Sequence, residues 1–259
     1  MVATLKQSVA ALIEFAPDWA DCVPVHINRV DVDAAATRAS GRPTRLYRLE
    51  VAYDGGAIVA KERAGNGLLP ACCPERHVNV DASFCLGLRA GEGIADEGTA
   101  SGWWEKLKLF LVCQDTADET GRWPHYAQLS HGEAGEMEAR AELASQSIGM
   151  LPAYREAVER DSGPIASSLH RVVKSTGRLR NGRAACVCGR VDKRGRAVLR
   201  RDCRKLGCPV ELEFARRQAT AMFWDSMKGK ACCGSMLECP LRSAPKAGGA
   251  SDLAAKEII

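Results

Sequence analysis

The sequence predicts an α+β protein: an antiparallel meander with flanking helices, followed by a small, basic, helical module rich in cysteine. Three observations predict it. Tyr47, Leu49, Val51 and Tyr53 fall at period two and run into Asp54-Gly55-Gly56, a hairpin signal. Helical spacing stands on both sides of that segment, at Leu5, Val9, Leu12, Ile13 and Ala16 before it and at Trp103, Leu107, Phe110, Leu111 and Gln114 after it. The charge also divides: residues 1–170 carry 16 Lys/Arg against 24 Asp/Glu, and residues 171–246 carry 19 against 6. A contrast of that size within one chain points to two units.

Taken in order, Thr4 is placed to cap the first helix and Pro17 to end it. Residues 20–33 alternate apolar and polar positions and read as strand. Residues 34–44 read as a loop or short helix leading to a turn at Gly41-Arg42-Pro43. Tyr47 to Tyr53 is a strand, and Ala57 to Lys61 is its return. Gly87 to Gly102, rich in glycine and acidic residues, reads as a loop in which Asp96 or Glu97 could orient an incoming amine. Trp103 to Gln114 is helical, with Cys113 in the core. Ser130 is placed to cap a helix whose first turn holds Glu133 and Glu136, which suits the helix dipole. Arg178 to Arg183 reads as a hinge. Val210 to Gly229 is a helix packing through Leu212, Ala215, Ala219, Met222, Phe223 and Met227. The expected units are 1–150, a helical linker 151–183, a cysteine-rich module 184–242 and a flexible tail 243–259.

Composition excludes several classes. No apolar run approaches the ~18 residues of a membrane span. The N-terminal pattern is an amphipathic helix rather than an export signal. Twelve cysteines without such a signal point to thiol chemistry or metal binding in a reducing cytoplasm, not to disulfides.

The stretch that carries chemistry is Leu69 to Leu88, LPACCPERHVNVDASFCLGL. It places His77, Asn79 and Cys85 within nine residues, after proline turns at Pro70 and Pro74. A thiol attacks a carbonyl or thioester carbon as the thiolate. The oxyanion that forms needs a hydrogen-bond donor, and an asparagine amide supplies one. Cys85 is thus the candidate nucleophile and Asn79 the candidate oxyanion donor. The plainer reading of a cysteine in an apolar run is a small buried hydrophobe.

The motif H-V-N-(5)-C-L, with a hairpin before it and the helix WWEKLKLFLVCQ behind it, resembles the His-Pro-Asn flap and active-site Cys-Leu of ubiquitin-conjugating enzymes, and more closely their short bacterial relatives. The likeness covers roughly the first 130 residues; Val78 stands where the family has proline, and the Asn-to-Cys gap is about two residues shorter. The resemblance implies a ubiquitin-conjugating-enzyme-like fold and an acyl carrier. Cys85 would take a ubiquitin-like protein from an E1-like activating enzyme as a thioester and pass it to a target nucleophile, in a bacterial conjugation pathway of the kind used in anti-phage defence, with a peptidase of the same operon as a further partner. It also implies that His77 shapes the flap and is no base. Bacterial relatives often add a histidine to the cysteine, which makes His131 a candidate. A surface histidine at a helix start is its plainer reading.

Residues 184–242 hold seven cysteines, Cys186, Cys188, Cys203, Cys208, Cys232, Cys233 and Cys239, several beside glycine turns and basic residues. Paired thiols in a unit too small to rely on its own core suggest structural Zn²⁺. The expected set is Cys186 and Cys188 with Cys233 and Cys239, with Cys203 and Cys208 as alternates. Two rival functions stay open, a non-catalytic zinc-containing adaptor and a nucleic-acid-binding protein. The second is disfavoured by the absence of a helix-turn-helix or finger pattern.

Overall fold

The computed structural model describes residues 6–180, 182–202 and 207–242. Thr4, Leu5, Cys203 and the tail from 243 lie outside them.

Helix α1 (Gln7–Glu14) buries Val9, Ala11 and Leu12. Four antiparallel strands follow, β1 (Ala20–His26), β2 (Arg29–Ala34), β3 (Tyr47–Asp54) and β4 (Ala57–Glu62), in the order β1-β2-β3-β4. Residues 20–33 are thus a hairpin, not one strand. The chain reverses at Ile27-Asn28, where His26 pairs with Arg29. No glycine marks this turn. Asn28 holds it with its side chain, its Oδ1 2.6 Å from His26 Nδ1 and its Nδ2 donating to Tyr53 O. The next hairpin closes at Gly55-Gly56, with φ of 56° and 100°. Glycine tolerates that left-handed backbone, which a tight turn between twisted strands requires.

Helix α2 (Glu97–Thr120) crosses behind the sheet and is longer than its apolar pattern indicates. The reason is local. Asp96 Oδ1 accepts from Thr99 N at 2.9 Å and from Thr99 Oγ1 at 2.8 Å, and Thr99 Oγ1 accepts from Asp96 N. This capping box starts the helix before the first tryptophan. Trp103, Trp104, Leu107, Phe110, Leu111 and Cys113 are buried against α1 and the sheet. At the far edge, Asp115 is buried and receives Tyr47 Oη at 2.6 Å, Arg38 Nη2 at 2.6 Å and Arg45 Nε at 2.9 Å.

A second core forms downstream. Helices α3 (Glu133–Gln146), α4 (Leu151–Arg160), α5 (Gly163–Ala166) and α6 (Pro209–Ser226) bury Ala141, Tyr154, Ala157, Ile165 and Val210 together, with Val172 of the short hairpin β5 (Val172–Val173) and β6 (Arg178–Leu179). Residues expected as the end of the first unit and as a linker therefore pack with the module. The start of the expected hinge is strand β6, paired at Val172–Leu179 and Val173–Arg178. Helix α3 begins after Gly132 without a side-chain cap. Ser130 Oγ instead accepts from Arg216 Nη1. The packing face of α6 also differs from its apolar pattern. Met222 is exposed, while Glu213 is fully buried between Arg216 and Arg217. The packing face is the one that carries Glu213, and Met222, nine positions on and about half a turn round the helix, faces solvent.

Candidate active site

The site is built on the edge strand β4. Phe84 N donates to Ala60 O at 2.8 Å, and Ser83 bridges to Lys61, so residues 83–84 extend the sheet. Val78 bridges in turn to Phe84 and to Cys73. The flap is therefore an irregular continuation of the meander. Phe84 stacks on Phe110 of α2 with ring centroids 4.5 Å apart, which fixes its distance from the helix.

Cys85 leaves this ladder. Its amide donates to His77 O at 2.8 Å, while its side chain is only half-buried. Burial raises the thiol's pKa, and the Gly87 amide, donating to the sulfur, offsets part of that. Among the described residues, no thiol neighbours Cys85 as Cys233 does Cys73.

Asn79 is exposed at the head of the flap. Its Nδ2 donates to Ser83 Oγ at 3.0 Å and its carbonyl accepts from Ala82 N at 3.0 Å. Ser83 donates from both N and Oγ to Asp81 Oδ1. One amide hydrogen of Asn79 thus shapes the turn, and the other is left for a ligand.

His77 ends the turn Pro74–Arg76 with φ 54°, a left-handed backbone. Its ring is buried 4.9 Å from that of Trp123 and 4.8 Å from that of His131. Neither ring nitrogen has a hydrogen-bond partner among the described residues, and desolvation lowers its pKa to about 3. His131 is not a surface residue. It is sandwiched between His77 and Phe223, 4.7 Å away, and desolvation lowers its pKa to about 4. Both imidazoles are neutral spacers at neutral pH. Asp96 and Glu97 lie at the start of α2, and the Thr99 amide and hydroxyl hold the Asp96 carboxyl below its ordinary value. A carboxylate so stabilised is a poor proton acceptor.

A residue the sequence reading passed over anchors the flap. Arg76 is 1% exposed. Its Nε donates to Gln114 Oε1 at 2.8 Å, its Nη2 to Gln114 O, and Gln114 Nε2 returns a bond to Arg76 O at 2.7 Å. The signal was Gln114 itself, a polar side chain on the buried face of a helix that required a partner.

The cysteines gather in two places. Cys186 and Cys188 have their sulfurs 3.1 Å apart and line a cavity of about 120 Å³ with Cys208, Ile165, Arg200 and Glu211. Cys233 lies instead 3.0 Å from Cys73, and Cys239 is buried against the first core. The expected set of Cys186, Cys188, Cys233 and Cys239 is therefore divided between the two cores. As the side chains stand, no group of three or more His, Cys, Asp or Glu among the described residues closes on one point as a metal site.

A four-stranded meander, a flap built on its edge, a half-buried cysteine after the flap and a tryptophan-bearing helix behind define an α+β domain of the E2 class. Comparison agrees: residues 23–125 match the family described as prokaryotic E2 domain, and residues 130–241 match the cysteine-rich domain found C-terminal to the E2 domain. The chain belongs to the prokaryotic E2-like proteins that carry this cysteine-rich domain. No curated protein and no solved structure matches it.

Proposed function

We propose that this chain carries a ubiquitin-like protein on Cys85. The observation that supports this most is Cys85, whose thiol is only partly buried and whose amide donates to O of the flap residue His77, within a prokaryotic E2 domain. An E1-like enzyme presents the ubiquitin-like protein as a thioester. The Cys85 thiol loses its proton, its sulfur attacks the thioester carbon, and the E1 thiolate leaves and takes up a proton. Thioester exchange between thiols needs little activation, so the absence of a neighbouring base is no obstacle. An acceptor amine then attacks the Cys85 thioester, the C–S bond breaks as the amide forms, and the amine's proton passes by way of water to the departing Cys85 thiolate. Asn79 donates to the oxyanion of each tetrahedral intermediate. His77 holds the flap.

In this reading the cysteine-rich domain holds structural zinc, with Cys186, Cys188 and Cys208 as ligands around their shared cavity. Cys208 sits at the N-terminus of α6, where burial raises its thiol above the ordinary value and the Glu211 and Val210 amides offset part of that.

The test is charging by the cognate E1-like enzyme and ubiquitin-like protein. A reductant-labile adduct should form on the wild type and on Cys22→Ala, and vanish in Cys85→Ala. Undiminished charging of Cys85→Ala rejects the reading.

A further inference from the structure

The C-terminal segment of the cysteine-rich domain does not stay with its own core. Residues 232–242 return to the first domain. Leu237 N donates to Gly121 O at 2.8 Å, Glu238 pairs with Arg122 at 2.7 Å, and Met236 and Cys239 are buried in the first core. Gly121 is required there, because a Cβ would meet Leu237 Cγ at 2.7 Å.

This return sets Cys232, Cys233 and Cys239 against the first core beside Cys73, from the other end of the chain, although the four sulfurs do not close on one point as they stand. Cys73 and Cys233, 160 positions apart, lie with Sγ atoms 3.0 Å from each other. Cys232 and Cys239 act on one another electrostatically, as Cys239 does on Cys73. Cys232 and Cys233 are consecutive, so the two pairs share a corner of backbone. Cys232 Sγ accepts the Gly234 amide at 3.4 Å, and Cys233 Sγ lies 3.1 Å from Ser235 Oγ. Burial raises the Cys73 and Cys239 thiols above their ordinary value, so a metal bound there has to displace thiol protons.

We propose that Cys73, Cys232, Cys233 and Cys239 form a second zinc site, shared between the E2 domain and the cysteine-rich domain. Binding one Zn²⁺ makes four Zn–S bonds and releases four thiol protons to water. Four thiolates in tetrahedral array are a set that selects zinc. Zn–S bonds of about 2.3 Å put neighbouring sulfurs about 3.8 Å apart, so the Cys73–Cys233 pair must open by about 0.8 Å as the two pairs close on one ion. A disulfide, the other fate of two touching thiols, would join Cys73 to Cys233 and leave Cys232 and Cys239 unused. Cys73 is the root of the flap, four positions before His77. A metal here would clamp the flap to a segment of the other domain. The site is independent of the module's own cysteines 186, 188 and 208.

The test is the metal content of the full-length protein purified under reducing conditions. Cys73→Ser is expected to lose one zinc equivalent relative to the wild type. Cys73→His, which restores a ligand, is expected to regain it, which separates lost ligation from lost folding. Cys85→Ala keeps the wild-type zinc content whatever it does to charging, so the site and the carrier function fail or stand separately. Wild-type zinc content in Cys73→Ser, or a reduced wild type whose zinc is unchanged in Cys239→Ser, overturns the proposal. So does a wild-type protein that yields a Cys73–Cys233 disulfide-linked peptide and no zinc.

Discussion

The ring of His131 lies 4.8 Å from that of His77 and 4.7 Å from that of Phe223. This stack is the physical joint between the flap of the E2 domain and helix α6 of the cysteine-rich domain. It contains two imidazoles that cannot easily become charged.

Acid should open this joint. The folded-state pKa values are lowered to about 3 for His77 and about 4 for His131, below the value of an unfolded histidine. Between these limits the unfolded chain binds more protons, so stability falls as pH drops below ~6.5. Each imidazole should cost on the order of 2 kcal/mol at pH 5 relative to neutral pH. Urea titrations at the two pH values measure this. His131→Phe keeps a ring against Phe223 and should remove about half of the acid sensitivity; an unaltered pH profile would contradict the assignment.

Asp115 ties three segments together. Burial alone would raise its pKa, but Tyr47, Arg38 and Arg45 hold the carboxyl below its ordinary value. Asp115→Ala should cost roughly 1–3 kcal/mol, because it strands the buried Tyr47 hydroxyl, while Arg38 and Arg45 keep Glu119 and Asp118 as partners. Chemical denaturation should show the loss as a lower midpoint.

Arg76 and Gln114 should be strongly coupled. Gln114→Leu removes the acceptor of Arg76 Nε in a buried setting and should cost about 2–4 kcal/mol. Adding Arg76→Met should recover part of that loss, since both polar partners are then gone. A double-mutant cycle in urea gives the coupling energy, and a value near zero would mean that the pair does not hold the flap.

Burial keeps the Cys85 thiol above its ordinary pKa. Its alkylation rate should therefore still be rising at pH values where a thiol of ordinary pKa, about 8.5, levels off. Peptide mapping of iodoacetamide adducts reads this residue alone. A plateau near pH 7 would reveal an activating group that the geometry does not show.

Asn79 can serve the oxyanion or merely the shape of the turn, and Ser83 separates the two. Asn79→Ala should slow transfer from the charged protein by about 10²-fold. Ser83→Ala removes the Asn79 Nδ2 partner and leaves the donor, so it should slow transfer far less. Equal losses in single-turnover discharge would assign Asn79 a structural part only.

Local pattern by itself determined the meander, the Gly55-Gly56 hairpin, the buried face of α2 and the position of Cys85 after a proline-turned flap. These features rest on period, turn chemistry and short spacings, which neighbouring residues decide between themselves. The turn at Ile27-Asn28 and the early start of α2 were missed because their cause is a side-chain hydrogen bond in place of a glycine or an apolar repeat. Burial of Glu213, the Arg76–Gln114 anchor and the His77–His131–Phe223 stack came only with the tertiary structure. So did the partition of the cysteines: spacing suggests which thiols are neighbours along the chain, whereas Cys73 meets Cys233 only because residues 232–242 fold back onto the first core. Contacts across such separations depend on how whole helices pack, and no local periodicity encodes that.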